Sequence, residues 1–105
     1  MKSLTICAMC FGIFSLSSCM RVSNEFIVRD PEGIVYSAEL RLCGRRLQLT
    51  KSEGELRGAM PITCEGEGSI LVQRSDGGEA TCRIGYVTPG AEQRFKFSVE
   101  NGQCR

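Results

Sequence analysis

The chain has 105 residues, which allows one domain and no more. Thirteen basic against 12 acidic side chains leave almost no net charge, so there is no broad basic field of the kind that gathers nucleic acid. Seven cysteines in a chain without histidine or tryptophan point to an oxidising compartment, unless they bind metal.

The first 18 residues decide between those two. Lys2 supplies a positive start, and Leu4 to Leu16 is an uncharged, largely apolar run of 13 residues. A bilayer span needs about 20 residues, so this run is too short to cross and suits the hydrophobic region of a signal peptide. It ends in Leu16-Ser17-Ser18-Cys19. An aliphatic residue, two small residues and a cysteine, placed directly after such a run, resemble the bacterial lipobox. The resemblance implies cleavage before Cys19 and attachment of lipid, palmitate included, to Cys19. Two or three acyl chains give stable anchoring where one is marginal. Segment 1–18 is therefore expected to be a removed signal helix, 19–24 a lipidated cysteine with a short tether, and 25–105 the folded domain. In Gram-negative lipoproteins an Asp after the lipidated Cys favours inner-membrane retention. Met20 stands there, so the resemblance implies outer-membrane sorting, facing the periplasm.

With Cys7 and Cys10 removed and Cys19 lipidated, four cysteines remain: Cys43, Cys64, Cys82 and Cys104. An even number in a small exported domain reads as two disulfides. Of three pairings, the similar outer gaps of 20 and 21 residues favour Cys43–Cys64 with Cys82–Cys104. A four-cysteine zinc site needs CxxC-type spacing, which is absent, so no metal or other cofactor is expected.

Beyond Glu25 the hydrophobic period is two. Phe26-Ile27-Val28 is a short strand, and Asp30-Pro31-Glu32-Gly33 has the residues of a turn. Ile34, Tyr36, Ala38, Leu40 and Leu42 then alternate with Val35, Ser37, Glu39 and Arg41, which places the first set inward and demands a bulge or slip at Cys43. Leu47 and Leu49 begin a strand that ends at Lys51-Ser52-Glu53-Gly54. Leu56, Gly58, Met60, Ile62 and Cys64 share a parity, with Pro61 marking an edge or a break. Ile70 and Val72 form the next strand, and Ser75-Asp76-Gly77-Gly78 a hairpin turn. Ala80, Cys82, Ile84 and Tyr86 return. After Thr88-Pro89-Gly90 comes a strand with Phe95, Phe97 and Val99, and Asn101-Gly102 is a final tight turn before Cys104. About seven strands with regular turn signals predict an all-β fold, a small antiparallel β-sandwich with two disulfides.

Val28-Arg29-Asp30-Pro31-Glu32-Gly33, followed by Ala38 to Gly44, resembles the opening of carboxypeptidase-regulatory-like (transthyretin-like) domains, and Gly68-Ser69-Ile70-Leu71-Val72 resembles a later strand of theirs. The cysteines depart from that pattern. The resemblance implies a seven-stranded sandwich of the structural or binding kind and carries no catalytic residue.

Without histidine the commonest general base is missing, and Ser-His or Cys-His nucleophiles are excluded. Glu53 with Glu55, and Glu65 with Glu67, read as solvated turn charge, so no enzyme is expected. Two features mark candidate binding surfaces. Arg41, Arg45 and Arg46 surround Cys43-Gly44 and suit lipid head groups, glycan phosphate or an acidic partner. Tyr86 and Val87 lie in a Gly/Pro-framed stretch that suits a protein contact, although parity places Tyr86 in the core. The expected function is a non-enzymatic binding or structural lipoprotein with an envelope protein partner. The alternative is an inhibitor or immunity protein against an envelope-targeting enzyme.

Overall fold

The computed structural model describes residues 23–90 and 92–105. The expected signal helix, Cys19 and tether residues 20–22 lie outside the described residues. The described chain is all-β. Nine strands run in the order β1 (Asn24–Arg29), β2 (Val35–Leu42), β3 (Arg45–Gln48), β4 (Thr50–Ser52), β5 (Glu55–Met60), β6 (Gly66–Arg74), β7 (Glu79–Val87), β8 (Arg94–Glu100) and β9 (Gln103–Cys104). They form a five-stranded sheet, β4-β5-β1-β8-β9, packed on a four-stranded sheet, β3-β2-β6-β7. The count exceeds seven because Leu49 splits one expected strand and the residues after the Asn101-Gly102 turn pair as β9. The Leu49 amide still pairs with Ala38 of the four-stranded sheet, while Thr50 begins pairing in the other. The first sheet is mixed rather than purely antiparallel, since β1 and β8 are parallel.

Burial drives this arrangement. Phe26, Val28, Leu40, Leu56, Ile70, Val72, Cys82 and Val99 are buried between the sheets with the chemistry of strand formers. Ile27 points the other way and is still buried, on the outer face, where Arg57 and Lys96 are its cross-strand partners. Their alkyl stems can cover it while the charges stay wet. β5 ends at Met60, so Pro61 breaks the strand rather than marking an edge, for β5 lies between β4 and β1.

The turns follow from local chemistry. Cys43-Gly44, Glu53-Gly54 and Asn101-Gly102 all have positive φ at both residues, the signature of two-residue hairpin turns of type I′. Cys43 thus sits in a turn between β2 and β3, not in the bulge that the parity of Leu42 demanded. β3 begins two residues before Leu47 for the same reason. The corner from β1 to β2 is held by Asp30. Its carboxylate accepts from the amides of Ile34 and Val35, each at 3.0 Å, and its own amide donates to the carbonyl of Gly54 at 2.8 Å. Asp30 is a buried carboxylate that pins two sheets at one corner.

Both disulfides join the expected partners. Cys43–Cys64 ties the β2–β3 turn to the crossover between β5 and β6, with Cα atoms 5.5 Å apart. Cys82–Cys104, at 5.1 Å, ties β7 to β9, the last strands of the two sheets on the same side of the sandwich. At the opposite side the chain itself crosses between sheets at Leu49. One seam is closed by backbone and the other by sulfur. Among the described residues, the core, the strand pairings and both disulfides fall between Asn24 and Cys104, which holds the interactions that build the sandwich. The first strand starts at Asn24, one residue before the expected boundary. Asn24 is buried, and its Oδ1 accepts from the amide of Gln93 at 2.8 Å.

Candidate functional site

The outward face of the four-stranded sheet brings together residues that the sequence separates widely. Register aligns Arg46 of β3 with Arg41 of β2, Arg41 with Ser69 of β6, and Ser69 with Arg83 of β7. The result is one row across all four strands, Arg46–Arg41–Ser69–Arg83. Its neighbours inward on each strand, such as Leu42, Ile70 and Cys82, are buried, which fixes the row on the solvent side. Two shallow depressions run along it and share Glu67 and Ser69, one bounded by Arg83 and Thr81, the other by Arg41, Arg45 and Arg46.

The electrostatics of the row are unbalanced. Arg41 pairs with Glu39 at 2.7 Å. Among the described residues, Arg45, Arg46 and Arg83 form no ion pair with a carboxylate. Arg41 and Arg46 face each other directly, and like charges so placed oppose strand pairing. The face of the other sheet differs: Glu25 binds both Arg57 (2.8 Å) and Arg94 (2.9 Å), and Glu55 binds Arg57 at 2.9 Å. The bond to Glu55, ahead of Glu25, raises the Arg57 guanidinium above its ordinary value. Arg57 and Arg94 there already have anions, while Arg29 and Lys96 are exposed without one among the described residues.

Tyr86 lies at the same end of the row and is 65% exposed, contrary to the parity that placed it in the core. The cause is a bulge. Gly68 pairs with Gly85 but Ser69 pairs with Arg83, leaving Ile84 without a partner, and Gly85 takes φ +87°, which glycine adopts without steric cost. The inserted residue reverses the alternation: Tyr86 turns out and Val87 turns in. Val87 is therefore buried and is no contact residue. Tyr86 Oη donates to Glu65 at 2.7 Å, and this bond, with some desolvation, holds the phenol above its ordinary pKa. The neutral donor is present at all pH values below the ordinary phenol range, and the contact is lost only as pH rises through the raised value.

Of the sequence candidates, the structure gathers Arg41, Arg45, Arg46 and Tyr86 at one end and removes Val87. Arg83 was missed. Its outward parity beside Cys82 was legible, but its place in the row depends on the β6–β7 register. Glu53 and Glu55 lie far from Glu65 and Glu67, at the other end of the strands. Among the described residues no group of three or more acidic or cysteine side chains could hold a metal ion.

No family model matches the chain, and no curated protein matches it. Among solved structures it is similar to a protein from Eubacterium rectale determined by NMR, with a TM-score of 0.58 at 9% identity, covering 88% of this chain and 93% of that one. At that identity the likeness shows the fold alone, a β-sandwich-like arrangement. The two disulfides point to an oxidising location outside the cytosol.

Proposed function

We propose that this protein is a lipid-anchored envelope lipoprotein whose β-sandwich is a non-enzymatic binding module. The observation that carries the binding reading is the Arg46–Arg41–Ser69–Arg83 row, an open face on which Arg46 and Arg83 form no ion pair among the described residues and Arg46 stands directly opposite Arg41, a repulsion that an anionic ligand offsets. Such a face suits recognition rather than chemistry in a cleft. The anchoring reading rests on the resemblance of Leu16-Ser17-Ser18-Cys19 to the lipobox, and two disulfides fit an exported domain. Met20 supports sorting to the outer membrane, on the periplasmic side. The resemblance to transthyretin-like sandwiches supports a structural or binding role.

Cys19→Ser tests the anchor: the precursor should stay unprocessed and its amino terminus should carry no acyl mass. Normal processing and acylation of that variant would refute the lipoprotein reading. Crosslinking in intact envelopes tests the binding: Arg46→Glu with Arg83→Glu should abolish the captured species. An unchanged crosslink pattern from that variant would remove the row from the function.

The exposure of Tyr86 favours a second reading, an inhibitor or immunity protein that presents this ring to an envelope-attacking enzyme. Tyr86→Ala in the same crosslinking experiment separates the two. Loss of one protein partner with the arginine variant unaffected supports the inhibitor, and the reverse supports the arginine row.

A further inference from the structure

The arginine row lies at a particular end of the sandwich. Asn24, where the described strands begin, pairs with Met60. Four residues after Met60, Cys64 is bonded to Cys43 in the β2–β3 turn, and Arg41, Arg45 and Arg46 flank that turn. Gly66 pairs with Val87 and Glu67 with Tyr86 at the same end, and Arg94 pairs with Glu25 beside Asn24. Arg41 stands two residues before the turn, within about 7 Å of the end of β2, and the row then runs inward to Ser69, three residues into β6, and to Arg83 at the middle of β7. This proximal end is where the chain arrives from Cys19. Three residues separate Cys19 from Ser23, four steps along the chain and a reach of about 14 Å at most, and one of the three is Arg21. The distal end is formed by the turns at Asp30–Gly33, Glu53–Gly54, Ser75–Gly78 and Asn101–Gly102, and there Asp30, Glu32, Glu53, Asp76, Glu79 and Glu100 outnumber the bases. The distal end thus carries an excess of carboxylates, while the anchor side gathers Arg41, Arg45, Arg46 and Arg83, with Glu65 and Glu67 among them.

We propose that the Arg46–Arg41–Ser69–Arg83 row, with Arg45 and Tyr86, binds the phosphates of anionic lipid headgroups and seats the proximal end of the domain on the bilayer. This rests on the lipoprotein reading for its geometry, because the tether is what brings that end to the membrane. Arginine offers planar paired donors to phosphate oxygens, and basic residues near an anionic surface add attraction that salt screens. Tyr86 adds the amphipathic ring that favours the headgroup level, apolar on its faces and polar at its tip. The acidic distal end is repelled by the same surface and fixes the orientation. The lipid chains then supply residence, and the arginines supply posture.

The probe is co-sedimentation of residues 20–105, which lack the lipidated cysteine, with vesicles of phosphatidylcholine alone or containing phosphatidylglycerol. Binding should require phosphatidylglycerol and weaken as salt rises. Arg46→Glu with Arg83→Glu should reduce it at least roughly tenfold, while Lys51→Glu with Arg105→Glu, the same charge change at the distal end, should leave it intact. Equal binding to both vesicle types, or equal loss from both double variants, overturns the proposal. So does loss of vesicle binding to inorganic phosphate at low concentration, which would identify a free phosphate as the ligand. Envelope crosslinks to an acidic protein without phosphatidylglycerol-dependent sedimentation would also overturn it while leaving the binding-module reading intact. Anchoring is read separately from the acylation of the full chain, so a failed anchor and a failed headgroup site give different results.

Discussion

Replacing Cys82 and Cys104 together with alanine is expected to lower the unfolding free energy by about 3 kcal/mol, the chain-entropy value for a loop of this length. The two cysteines are 22 residues apart in sequence. In the unfolded chain the bond restricts that loop, and removing it restores the lost freedom. The native cost is added to this. Cys82 is fully buried, and β9 is only two residues long, paired with β8 through Val99 and Glu100. The pairing with β8 continues only to Arg105, whose amide and carbonyl exchange bonds with Ser98 at 3.0 and 2.8 Å, and the sulfur bridge is the covalent hold of β9 against β7 across the seam. A shift of roughly 15 °C in Tm should accompany the change in a domain of this size. The Cys43–Cys64 loop, at 21 residues, has nearly the same entropy, but its turn is independently closed by the β2–β3 pairing. Its removal is expected to cost somewhat less. The two loops do not overlap in sequence, so their costs should add, and the variant lacking both should approach the limit of a stability that is about 5–15 kcal/mol for ordinary domains. Urea unfolding of the three variants under non-reducing conditions measures this. Equal losses from the two single-bridge variants would show that β9 contributes nothing to the seam, and a loss below about 1 kcal/mol for Cys82/Cys104 would contradict the role of the bridge altogether.

What the sequence made legible was whatever depends on residue type or spacing alone. Cysteine gaps predicted both disulfides. Asn101-Gly102 and Ser75-Asp76-Gly77-Gly78 are turns because their residues tolerate positive φ, and in the latter the Asp76 carboxylate accepts from the Gly78 amide and pairs with Arg74, which together lower its pKa. What failed was parity beyond an insertion. The period-two pattern placed Tyr36 and Tyr86 inward, yet they are 73% and 65% exposed. Each adjoins a register shift, Tyr36 between Val35 and Ser37 on β2 and Tyr86 just past the Gly68/Ser69 shift. One extra residue exchanges the faces of all that follow. A bulge forms where cross-strand neighbours require it, so it is a property of the pair of strands and not of either sequence. The arginine row has the same origin. Arg41, Arg46 and Arg83 become neighbours only through three strand registers, and Arg83 carried no local signal that set it apart from any other exposed cation.

Phe26→Ala is expected to cost about 4 kcal/mol, within the range for truncating a fully buried aromatic. Phe26 is inaccessible to solvent and stacks on Phe95, its partner on the parallel neighbour β8, with ring centroids 5.1 Å apart and planes within 7°. On its other side it faces Gly58 of β5. Gly58 has no side chain to offer, and a β-carbon there would stand 2.7 Å from Leu49 and 3.0 Å from Leu47. The inward space at Gly58 is thus occupied by leucines from the segment that crosses between sheets. Removing the Phe26 ring leaves a gap bounded by a glycine that cannot fill it and by Phe95, which loses its stacking partner. Collapse is restricted because Leu47 and Leu49 are held by the β2 pairing on one side and β4 on the other. Phe26→Leu retains much of the volume and should lose only about 1–2 kcal/mol, the remainder being the ring contact. Denaturant titrations of both variants decide the matter. If alanine costs no more than leucine, the space around Phe26 closes on its own, and the Gly58–Leu49 corner is not the rigid wall that joins the two sheets.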